Sequence, residues 1–103
     1  MATQVVTGSD QYVGDEQLAS LATAKPLASI PTGTNTPNYA IIQAVTKDIR
    51  IRGGSSVPTA ALGFVVAAGS SIKWTAELSG VRIIETAASA EGNVMYFKTG
   101  VAP

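Results

Sequence analysis

From Tyr39 to Lys98 the chain is a succession of short apolar runs separated by small-residue turns, and Arg52 to Trp74 shows the pattern most plainly. There a turn cluster, Gly53-Gly54-Ser55-Ser56, leads past Pro58 into a continuous apolar run, Ala60 to Ala67. A second turn at Gly69-Ser70 then opens onto Ile72. A helix over Ala60–Ala67 would be short and interrupted by Gly63, whereas Val65 and Val66 are β-branched and suit a pleated surface. Runs of this length with turn residues between them predict an all-β chain, a small β-sandwich or a jelly-roll-like barrel of about six strands.

The other strands follow from the same pattern. Tyr39 to Thr46 is apolar on both faces and reads as an inner strand. After a break at Lys47-Asp48, Ile49 and Ile51 point inward and Arg50 and Arg52 outward. Ile72, Trp74, Ala76 and Leu78 alternate with Ser71, Lys73, Thr75 and Glu77 as a strand with one buried face. Val81 to Glu85 and Asn93 to Lys98 complete the set. The expected core is Ile41, Ile49, Ile51, Leu62, Phe64, Ile72, Trp74, Leu78, Val81, Ile83, Val94 and Tyr96.

Residues 1–37 differ from the β domain at 38–103. They hold Pro26, Pro31 and Pro37, many Ser and Thr, and one aromatic, Tyr12. The segment is expected to be an N-terminal arm, either extended or with one short helix capped by Asp15, carrying Leu18, Leu21 and Ala22 and ended by Pro26. Its apolar residues Leu18, Leu21, Leu27 and Ile30 imply an arm tied down, since a solvated tail would be more polar.

Charged residues are 14% of the 103, against roughly 25% in an ordinary domain. Seven basic and seven acidic residues cancel, so no strong field steers the chain to DNA or an anionic membrane. A surface poor in charge is the kind that meets protein, because charged groups are depleted at interface cores. No apolar run approaches the roughly 20 residues of a membrane span, and the N-terminus lacks the pattern of a signal peptide. Synthesis in the cytoplasm is the plain expectation.

The chain has no His and no Cys. Triad chemistry, imidazole acid-base work, thiolate sites and nearly all zinc sites therefore lack their side chains. Glu85 and Glu91 flank one loop as a glycosidase pair might, but no aromatic subsites accompany them, and they read as solvated loop-edge residues. No phosphate-binding glycine loop or calcium loop is present. Lys47, Arg50 and Arg52 form a short basic row without the stacking aromatics of a nucleic-acid reader, so Arg50 and Arg52 are expected to face solvent or acids of a neighbouring subunit. The expectation is no enzyme, no cofactor, no metal, no nucleic acid and no membrane.

One resemblance stands out. Ala40-Ile41-Ile42-Gln43-Ala44, Ile49-Arg50-Ile51-Arg52, the glycine turn, Pro58-Thr59-Ala60, Gly63, Ala68-Gly69, Leu78, Val81, Ile83 and Asn93-Val94-Met95-Tyr96 resemble small β proteins encoded in the structural gene clusters of tailed bacteriophages. The resemblance implies a virion protein of the head-decoration or capsid-stabilising type, present in many copies. Its partners would be the major capsid protein or other virion proteins, and copies of itself as a homo-oligomer. Residues 1–37 lie outside the resemblance; from composition alone, partner contacts are expected at Leu18, Leu21, Leu27 and Ile30 of the arm, latched onto a neighbouring subunit, and, as an outward basic row, at Arg50 and Arg52. The competing expectation is a head- or tail-fibre module that binds host glycans or a receptor through loops 53–58 and 86–92.

Overall fold

The computed structural model describes residues 10–59 and 61–99. These form eight strands, β1 Gln11–Leu18, β2 Lys25–Pro26, β3 Tyr39–Ala44, β4 Ile49–Arg52, β5 Phe64–Val66, β6 Ser71–Trp74, β7 Arg82–Glu85 and β8 Gly92–Lys98. A single 3-10 turn lies at Gly33–Asn35, and no α-helix occurs among the described residues. Two four-stranded sheets result, ordered β1-β8-β3-β6 and β2-β7-β4-β5, with every pairing antiparallel.

The topology has a simple generator. β1 pairs β8, β2 pairs β7, β3 pairs β6 and β4 pairs β5, which is one long hairpin folded at its middle. The further pairings β3–β8 and β4–β7 roll that hairpin into two facing sheets. The chain is therefore an all-β sandwich of jelly-roll topology. Between the sheets pack Ile42, Val94, Tyr96 and Ala40 from one side and Ile49, Ile51, Val66 and Ile83 from the other, all buried. The alternation that marks Ile49 and Ile51 as inward and Arg50 and Arg52 as half-exposed is borne out residue by residue.

Two strands beyond the expected six come from the N-terminal segment, and here the structure corrects the arm. Gln11–Leu18 is a full strand on the edge of the first sheet, not a helix capped by Asp15, and Lys25–Pro26 pairs with Ile83 and Arg82. The helical spacing of Leu18, Leu21 and Ala22 was local, and β8 supplied a stronger demand: an edge it could only satisfy by pairing. A bulge between Tyr12 and Gly14 shifts the register, and the segment as far as Leu18 then runs in step with Gly92. Residues 10–37 belong to the sandwich; residues 1–9 of the expected arm lie outside the described residues.

The core also differs from expectation at its rim. Leu62 and Phe64 are exposed, and Ile41, Ile72 and Trp74 are only partly buried. Their places in the core are taken by Leu18, Leu21, Leu27 and Ile42, while Tyr39 and Phe97 are buried against each other on the outer face of the first sheet. The apolar run 60–67 contributes only the three residues of β5, and β6 stops at Trp74 although the alternation continues to Leu78. Ala40 is the last residue of β3 paired with β6, whereas Tyr39 and Asn38 stay bonded to β8 at Phe97.

Candidate docking surface

The expected partner residues divide cleanly once placed. Leu18, Leu21 and Leu27 are buried in the chain's own core and Ile30 packs against it. They tie residues 10–37 to this domain, which corrects the assignment of the three buried leucines as partner contacts; Ile30 stays half-buried at the border of a hollow. Arg50 and Arg52 also work at home. Arg50 Nη1 donates to the Gly63 carbonyl at 2.9 Å and Arg52 Nη1 to the Val57 carbonyl at 3.4 Å. Both arginines thus hold the β4–β5 loop down onto the outer face of the second sheet.

What that loop displays is apolar. Val57 is 60% exposed, Leu62 54%, Phe64 62% and Val65 44%, so among the described residues four of the six exposed large hydrophobic side chains fall between residues 57 and 65. The backbone beneath them is bonded at several points. Thr59 and Leu62 exchange amide-to-carbonyl bonds of 2.9 and 3.2 Å, Ser56 donates to Gly53, and Ser55 donates to Gly80 at 2.9 Å. Pro58 is buried beneath the loop as its anchor. Gly54 holds a left-handed conformation at φ +63°, and a methyl group on Gly53 would come within 2.7 Å of the Trp74 ring. These two positions explain why the turn is written Gly-Gly. Apolar side chains on a backbone fixed in this way lose little entropy when a partner covers them.

Beside the loop the sandwich itself is open. β5 and β6 are the free edges of the two sheets on the same side, and between them runs a groove of about 570 Å3 lined by Phe64 and by Ser71 through Ala76. Ile72 and Trp74 form its inner wall. The Trp74 indole N–H is shielded from water and lacks an acceptor, an unusual state for a buried donor.

The outer face of the first sheet carries a second, polar feature. Gln17 donates to Asn93 and Asn93 to Gln43, each at 3.1 Å, so an amide ladder crosses β1, β8 and β3. With Asp15 and Met95 these residues line a hollow of about 350 Å3. At the other end of the face Tyr39 stacks on Phe97 at 5.2 Å, Tyr12 meets Phe97 edge-on, and Lys73 Nζ lies 4.2 Å above the Tyr39 ring. Tyr39 donates to Asp10 at 2.5 Å; burial first, and then the carboxylate, push its hydroxyl up to about 12. Burial and the Glu16 carboxylate likewise raise the Tyr96 hydroxyl. The bond to the Asp15 carboxylate raises that of Tyr12.

Glu85 and Glu91 border one hollow with Ala19, Ser20, Ala22, Ser89 and Ala90, and no aromatic ring lines it. Among the described residues no three His, Cys, Asp or Glu side chains come together as a metal would need, and no helix is long and apolar enough to cross a membrane. The exposed lobe escaped sequence reading because an apolar run of this length reads as a buried strand; the outlying signal was Gly63 interrupting it. Compared with family models, curated proteins and solved structures, the chain matches none.

Proposed function

We propose that this chain is a structural protein of a tailed-bacteriophage virion that decorates or stabilises the capsid through protein–protein contacts. The observation that carries the reading is the stapled apolar lobe, Val57 to Val65, on a domain with little charge. Phe64 lies on the inner side with Ile51 and Val65 on the outer side with Arg50, so the exposed side chains flank the β5 edge on both faces, and exposed apolar groups on a fixed backbone suit docking. The jelly roll is compatible with this role, since such sandwiches recur in capsids, but they also recur in lectins and enzymes. The contact is made by the lobe, in place of the leucines first expected to make it. The partner is the major capsid protein or another virion protein, the protein acts in the virion, and no reaction is involved.

The test is attachment. Leu62→Ser combined with Val65→Ser should leave the thermal transition nearly unchanged and abolish co-sedimentation with particles that lack the protein. Particles saturated equally by the variant would overturn the reading. A second reading, a host-glycan module of a head or tail fibre, is favoured by the amide ladder of Gln17, Asn93 and Gln43, whose paired donors and acceptors suit sugar hydroxyls. It moves the expected site from loops 53–58 and 86–92 to the outer face of the first sheet. Binding on a glycan array that Asn93→Ala removes would favour it.

A further inference from the structure

We infer that the free edge of β6 is the contact between two copies of this chain, paired antiparallel about a two-fold axis at Thr75. A strand bonded on one side presents every second N–H and C=O on the other. Beside Ser71 to Ala76 that other side is the open groove, and none of the described strands pairs with it. The alternation of Ile72, Trp74, Ala76 and Leu78 also outruns the ladder available at home. Past Trp74 the neighbouring chain parts from it, leaving a hollow of about 380 Å3 between Thr36–Asn38 and Thr75–Ser79. Thr75, Ala76 and Glu77 are exposed there.

Charge selects the occupant and the register. An edge lysine is an ordinary guard against unwanted pairing, and Lys73 stands on this edge. In a two-fold antiparallel pair centred on Lys73 the two ammonium groups would oppose each other. Centred on Trp74, Lys73 would oppose Thr75. Centred on Thr75, Lys73 lies opposite Glu77 of the partner subunit and Glu77 opposite the partner's Lys73, forming two ion pairs. On the inner face the same register sets the large Trp74 opposite the small Ala76 of the partner subunit, so the groove beside Phe64 is filled without collision between two indoles. The segment from Lys73 to Glu77 is thus complementary to its own reverse once the stretch after Trp74, bent at Ala76 in the free chain, is drawn into the pair, which points to a second copy. Cross-strand opposite charges favour a pairing and like charges disfavour it.

This inference does not depend on the virion reading, and its experiment uses no particles. Sedimentation equilibrium on the full chain should show a monomer–dimer equilibrium. Lys73→Glu and Glu77→Lys should each weaken association by about tenfold or more, since each creates two like-charge contacts. The double variant should recover it. Because the chain has no cysteine, Thr75→Cys should form a disulfide-linked dimer under mild oxidation, and Ala87→Cys, far along the chain on another exposed loop, should not. A chain that is monomeric at every concentration would overturn the inference. So would single reversals that leave the dimer intact, a double variant that stays dissociated while folded, or equal cross-linking at positions 75 and 87.

Discussion

At the β1/β2 edge the chain seals its own sandwich, and at the β5/β6 edge it leaves the sandwich open. The first edge is closed by the connection through β2: Leu21 and Leu27 plug the seam, and Pro31 lies against Gly14. The Glu16 carboxylate accepts from the amides of Ala28 and Ser29 at 3.2 and 2.8 Å and from the Tyr96 hydroxyl. The second edge has only the four-residue turn Ala67–Ser70 between its strands, too little chain to fold back over Phe64, Ile72 and Trp74. Length of connection decides which edge is covered by self and which is left for a neighbour.

If that contrast is right, substitutions at the sealed edge should cost stability and those at the open edge should not. Leu21→Ala, wholly buried, should lose about 3 kcal/mol in urea unfolding, the transfer and cavity terms of a core leucine. Glu16→Ala should lose about 2 kcal/mol, because two amides and a phenol forfeit a charged acceptor. Alkaline pH gives a subtler change. The Tyr39 hydroxyl titrates near 10.0 unfolded and at about 12 folded, so the folded state keeps its proton longer. Its contribution is whole below pH 10 and fades as pH rises towards 12; Tyr39→Phe should flatten that part of the stability profile measured by denaturant titration. Smallest of all, Phe64→Ser at the open edge should shift unfolding by no more than about 0.5 kcal/mol, its ring being 62% exposed. A loss at Phe64 comparable to that at Leu21 would erase the distinction between the edges.

Much of the fold was legible along the chain, and the illegible parts share a cause. Ile49, Ile51 and Ile83 lie where period-two alternation puts them, because each sits on a strand with neighbours on both sides. Phe64 shares the inward side of Ile51 but sits on an edge strand, where that direction does not bring burial, and Leu62 lies in the loop before it, bridged to Thr59. Leu18 and Leu21 mimic a helical face, and only the register with β8 shows them to be strand and seam. For the candidate site, Arg50 and Arg52 were visible as an outward row, yet their hydrogen bonds reach Gly63 and Val57, thirteen and five residues away. No periodicity encodes such contacts.

Local pattern settled that this chain is all-β, that its turns fall at Gly53-Gly54 and Gly69-Ser70, and that a protein without His or Cys works without their chemistry. Those properties depend on neighbours in sequence, on backbone sterics and on composition. Tertiary folding decided which strands became edges, which leucines closed one of them, and which apolar residues were left uncovered at the other. Burial is a property of what lies across space, and the hairpin that rolls β1 against β8 joins residues some eighty positions apart, as Tyr96 and Glu16 do.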